Sequence, residues 1–191
     1  MFTISMKYKV DEENFKTSPY ANQKYDVQDF TRKHSRIEQI IVHCTATDSK
    51  KWDNPEACID YDLQPNHISR KGCPTATYHF YVEQDGDVSQ LVSVYIRTMN
   101  CSGQNFNSIA VCINHGGEKD DVIEKEQYDS LVNTICYVFD YMDWSYSADS
   151  VNDRLHFHKD YSNKLCPGVN LDKKKLISDV IERLKMWGDE A

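Results

Sequence analysis

At 191 residues the chain suits one domain built around a single hydrophobic core. Its content, 40% hydrophobic and 27% charged, is that of a globular protein and excludes collagen, coiled coil and disorder as its main state. A net charge of −8 argues against nucleic acid as the main partner, and no stretch approaches the roughly 20 apolar residues of a membrane span.

The N-terminus, MFTISMKYKVDEENF, lacks an apolar core of secretory length and turns acidic early. The expectation is a protein made and kept in the cytoplasm until something releases it. Its seven cysteines, Cys44, Cys58, Cys73, Cys101, Cys112, Cys136 and Cys166, are odd in number and form no regular framework. They read as reduced thiols, mostly small core residues.

Residues 1–35 are polar and tyrosine-rich without periodicity, and are taken as an N-terminal extension of unknown role; the domain proper spans 36–191. Ile37, Ile40, Ile41 and Val42 form a β-branched run that predicts a buried strand ending at His43. Asn54-Pro55-Glu56 predicts a helix start with Pro in the first helical position. Pro65 limits that helix, and Gly72 is expected to cap a further short turn.

Residues 77–82 and 88–92, separated by Asp85-Gly86, predict a hairpin. Ile109 to Ile113 reads as another buried strand, ended by Gly116-Gly117. The spacing of Tyr128, Leu131, Val132, Ile135, Val138 and Phe139 predicts an amphipathic helix from about 125 to 142. Leu176, Ile177, Val180, Ile181 and Leu184 predict a second from about 171 to 187. Lys173, Lys174 and Lys175 fall on its solvated face. Strands mixed with amphipathic helices make an α/β domain, with a central sheet and helices packed on it.

Three side chains suit zinc: His43 at a strand end, and His158 and Cys166, eight residues apart. Pro167-Gly168 would fix a turn holding the sulfur. Each residue alone is more often a packed core residue than a ligand, and no compact metal motif exists, so the ligands would have to converge from distant segments. His156 would share a side with His158 in an extended chain and competes as a ligand, although the spacing to Cys166 favours His158. His79 is expected to point away from Tyr78 into packing. His67 and His115 read as surface or loop residues.

In order, the chain carries Ile-Ile-Val-His43-Cys-Thr-Ala-Thr, Tyr78-His79-Phe80 before an Asp-Gly hairpin, Asn107-Ser108-Ile109-Ala110-Val111-Cys112, and His158 to Cys166-Pro-Gly. This order, over residues 36–188, resembles the type-2 N-acetylmuramoyl-L-alanine amidases, a family that includes phage-lysozyme-type amidases and peptidoglycan recognition proteins. The resemblance implies a central mixed β-sheet flanked by amphipathic helices. It also implies one Zn2+ on His43, His158 and Cys166, and catalytic roles for Tyr78 and Lys164. The implied partner is peptidoglycan (a muropeptide), cut between N-acetylmuramic acid and L-alanine, as an endolysin would do. A monomer without membrane insertion is expected.

Retention of Cys166 resembles the catalytic branches. The chain departs from the family pattern at Asn100, where the phage branch commonly has histidine, and at Thr77, where glycine usually precedes the motif tyrosine. The alternatives are a non-catalytic peptidoglycan-binding module, a structural zinc site in an unrelated α/β protein, and an enzyme that cuts within the peptide instead of at the sugar junction.

Overall fold

A computed structural model describes residues 3–7, 24–47, 54–66 and 68–188. Its five strands are β1 (Gln39–Cys44), β2 (Phe80–Val82), β3 (Val88–Gln90), β4 (Ser108–Ile113) and β5 (Leu155–Phe157). Its helices are α1 (Pro55–Leu63), α2 (Lys125–Tyr141), α3 (Ala148–Arg154) and α4 (Lys173–Gly188). The strands form one mixed sheet in the order β3-β2-β4-β1-β5. Only the β2–β3 hairpin is antiparallel; β4 pairs parallel with β2 and β1, and β1 with β5.

Alternation decides which face each residue serves. Ile40 and Val42 of β1, Ile109, Val111 and Ile113 of β4, and Leu155 and Phe157 of β5 join Leu131, Ile135, Leu176 and Val180 of α2 and α4 in the main core. All are essentially solvent-free. Burying each such side chain contributes roughly 1.5–3 kcal/mol. The opposite sheet face carries Tyr81 and Cys112, covered by Cys58 and Ile59 of α1 and by Phe30. His43 is level with Cys112 in the β1–β4 register and so projects from this thinner side.

The predicted start of α1 is present: Asn54 caps it, accepting from the Ala57 N–H at 2.9 Å, with Pro55 at the first position. Gln64, ahead of Pro65, turns extended and ends the helix. The first hairpin arm is shorter than the aromatic run suggests, because the Thr77 N–H goes to the Asp62 carboxylate of α1 instead of to a neighbouring strand, and the second ends at Gln90. Not predicted were α3 and β5, each too short to show a period; Ser147 caps α3 and leads the chain directly into β5. Helix α4 starts later than expected, since the Asp172 carboxylate caps it by accepting from the Lys174 and Lys175 N–H groups. Lys173 and Lys175 pair with Asp160 and Asp179.

Part of the N-terminal stretch is built into the fold. Lys7 N–H donates to Val88 O at 2.8 Å, and Phe30 and Arg32 are buried. The Arg32 guanidinium donates to the carbonyls of Val94, Asn105 and Ser108. Burial, with Arg97 nearby, lowers its pKa to about 9. This cation ties the 101–107 loop to the sheet, and that loop forms one rim of the cleft described next.

Candidate metal centre and cleft

His43 leaves the end of β1 with its ring buried. His158 opens a short 3-10 turn directly after β5, and β5 pairs with β1, so the two imidazoles meet with ring centroids 4.6 Å apart. Cys166 arrives from the following loop. Its Sγ lies 3.8 Å from His43 Nδ1 and accepts the Cys44 N–H at 3.3 Å. One ligand atom from each of His43, His158 and Cys166 lies within 4.8 Å of the others, the one such group among the described residues.

The Cys166 loop is held by backbone. Lys159 N–H donates to Cys166 O at 2.8 Å, and Gly168 N–H to Leu165 O at 2.7 Å. Gly168 sits at φ +104°, and a Cβ there would come 2.5 Å from the Gly117 Cα. Only glycine allows that approach, and it brings the turn after Cys166 against the loop that ends β4.

The electrostatics favour neutral imidazoles and a protonated thiol in the metal-free protein. Burial, then the neighbouring His158, lowers the His43 pKa to about 3; Lys164 adds to this and the Asn100 amide opposes it. Burial and Lys164 lower His158 as well. The adjacent Cys44 thiol and burial push the Cys166 thiol up, against the Cys44 backbone N–H. Two unprotonated imidazoles and one thiol form an N, N, S donor set. Tetrahedral zinc places N and S ligands about 3.5 Å apart, so the 3.8 Å separation fits with little adjustment.

The three donors floor a cleft of about 640 Å³ that is also lined by Tyr78, Lys164, Asn100 and Asp62. The Tyr78 ring stands 5.3 Å from the His43 ring. Burial, with Cys112, Cys58 and Asp62 nearby, pushes its phenol well above the ordinary value, so it keeps its proton. Lys164 is exposed on the loop before Cys166. Asn100 is buried beneath the rim and donates to Thr98 Oγ1 at 3.0 Å.

His156 lies outside this group. It pairs with Ile41, two residues below His43, and its Nε2 engages Asp153 O at 3.0 Å. His79 is packed away from the cleft: its Nδ1 accepts the Ala110 N–H and its Nε2–H donates to Ile96 O. His115, read as a surface or loop residue, is buried: its Nδ1 accepts the Gly117 N–H at 2.9 Å, bracing the glycine that meets Gly168. His67 lies outside the described residues. All seven cysteines are free thiols, and only Cys166 is not fully buried. No helix among the described residues is long and apolar enough to cross a membrane.

Asp62, which no sequence motif marks, also lines the cleft. Its signal was available: a carboxylate three and four residues after Ile59 and Cys58 falls on the apolar stripe of α1.

The family model for N-acetylmuramoyl-L-alanine amidases matches residues 33–169. Among solved structures, the chain is similar to the endolysin N-acetylmuramoyl-L-alanine amidase LysCS from Clostridium intestinale, at 18% identity and a TM-score of 0.62, covering 82% of this chain and 91% of that one. It is also similar to the Ph2119 endolysin from the Thermus scotoductus bacteriophage Ph2119, at 18% identity and 0.58, covering 85% and 96%. Bumblebee PGRP-SA matches at 17% identity and 0.59, covering 80% and 88%. At these identities the structural likeness establishes the fold, and no curated protein sequence matches.

Proposed function

Because the chain belongs to the N-acetylmuramoyl-L-alanine amidase family, we propose that it is a zinc-dependent hydrolase of the amide between N-acetylmuramic acid and L-alanine in bacterial peptidoglycan. The observation that carries this reading is the convergence of His43, His158 and Cys166 at the floor of a cleft that Tyr78 and Lys164 also line. A structural zinc site would close with a fourth protein ligand. Here no fourth His, Cys, Asp or Glu joins the group among the described residues.

His43 and His158, kept unprotonated by burial, offer lone pairs at neutral pH. Cys166 must lose its proton to bind, which a divalent cation readily enforces on a coordinating thiol. Zinc held by these three residues would supply Lewis acidity toward a water and the scissile carbonyl. Lys164, two residues before Cys166, presents an ammonium to the oxygen that gains negative charge in the tetrahedral transition state. Tyr78, with its proton retained, donates a hydrogen bond at the reacting centre and helps pass a proton to the leaving amine.

The cellular reading is that of an endolysin, phage or prophage in origin, which meets the wall as a monomer once the membrane is breached. Similarity to endolysins supports it.

Product analysis on purified peptidoglycan tests the enzymatic reading. The expected result is new free L-alanine amino termini without new reducing sugar ends, lost on chelation and restored by zinc. Tight peptidoglycan binding without cleavage in any metal condition would leave a recognition module instead and remove the roles given to Tyr78 and Lys164.

A further inference from the structure

Asp62 is a buried acid on the inner face of α1, 5% exposed, on the stripe that carries Cys58 and Ile59. An uncompensated carboxylate there costs several kcal/mol, and an apolar residue would serve packing better. Its Oδ2 instead accepts both the backbone N–H of Thr77, at 3.0 Å, and the Thr77 hydroxyl. Its own carbonyl accepts the Cys73 N–H at 2.9 Å, so α1 and the 73–77 segment are tied at two points. Gly72 lets the chain pass this close: at φ +86° its Cβ would lie 2.2 Å from Leu63 O.

We propose that Asp62 is a positioning residue that sets Tyr78 over the metal centre by clamping Thr77. Tyr78 is the next residue along the chain and is not in a strand, since β2 begins at Phe80. Sheet pairing resumes only at His79, whose N–H donates to Ala110 O. The Asp62 clamp therefore fixes the backbone on one side of Tyr78, and the sheet fixes it on the other. Thr77, which departs from the glycine usual in the family pattern, supplies a hydroxyl that glycine could not. A displacement of about 1 Å in a reacting group can cost 10²-fold in rate, so a loose Tyr78 backbone would be felt in turnover.

The inference rests on the catalytic reading of Tyr78 given above, and a double-mutant cycle keeps the two apart. The zinc-loaded chain would be assayed as wild type, Asp62→Ala, Tyr78→Phe and the double variant, with zinc content and melting temperature measured on each. Asp62→Ala is expected to lower kcat about 10-fold with zinc retained, and to cost no more than about 2-fold further once Tyr78 is Phe. Asp62→Asn, which keeps an acceptor oxygen for the Thr77 N–H, is expected to restore most of the rate. Should Asp62→Ala fail to fold, Thr77→Val removes the hydroxyl half of the clamp in the same cycle. Full additivity with Tyr78→Phe, or an unchanged kcat in both clamp variants, overturns the proposal. If Tyr78→Phe alone retains wild-type turnover, the role of Tyr78 fails first, and with it the premise of the clamp.

Discussion

On the donor side of the cleft, His43, His158 and Cys166 are carried by adjacent strand ends and a glycine-locked turn. On the facing wall, Tyr78 follows a segment tied to α1 at Asp62, through its carboxylate and its backbone carbonyl. Backbone pairing and close packing leave the donor atoms few alternatives, because moving one means breaking sheet register or separating two glycines in contact. The facing wall depends on side-chain hydrogen bonds, each contributing about 1 kcal/mol, and presents exposed apolar groups such as Tyr61 and Ile68. The donor side is thus held by strand register and close packing, and the facing wall by fewer and weaker ties.

The largest expected effect breaks the donor side outright. Cys166→Ala leaves two ligands, so zinc content by elemental analysis is expected to fall to background and turnover with it. Full zinc occupancy in this variant would remove Cys166 from the site.

Lys164→Ala separates chemistry from metal holding. Zinc content is expected to stay, while kcat falls about 10²-fold, the size of a lost oxyanion donor. Steady-state kinetics on a soluble muropeptide would read it, and an unchanged kcat would take Lys164 out of the mechanism.

Gly168→Ala attacks the glycine contact without touching a donor atom. A Cβ 2.5 Å from Gly117 Cα at positive φ is expected to cost about 2 kcal/mol or more. Denaturant unfolding reads this, with weakened zinc affinity alongside it. The same change at Gly103, where nothing lies within 4 Å, serves as the control for positive φ alone.

A fourth test reads the pH response of the metal-free protein. The His43 pKa falls from the ordinary 6.5 to about 3 on folding. Between these values the unfolded chain binds more protons, so this stabilising contribution is complete above about 6.5 and is lost as pH falls. The slope is at most about 1.4 kcal/mol per pH unit, with His158 adding in the same direction. Melting temperature against pH after chelation would show it, and His43→Asn should flatten the curve.

The local signals were legible in the sequence. Asn54-Pro55 announced a helix start, Asp85-Gly86 a hairpin and the 3.6-residue period two long helices, because each is written in neighbouring residues. The residues of the candidate centre were legible only through four ordered motifs, since nothing local distinguishes a ligand histidine from a packed one. Tertiary structure placed His158, and not His156, beside His43, because the turn after β5 brings one imidazole there and leaves the other against Asp153. It also decided that His115 is buried, that Gly117 and Gly168 touch, and that Asp62 reaches Thr77 across fifteen residues. A sequence specifies which groups prefer burial and which bend the chain, whereas contacts between distant segments depend on strand order and register, which the packed sheet alone determines.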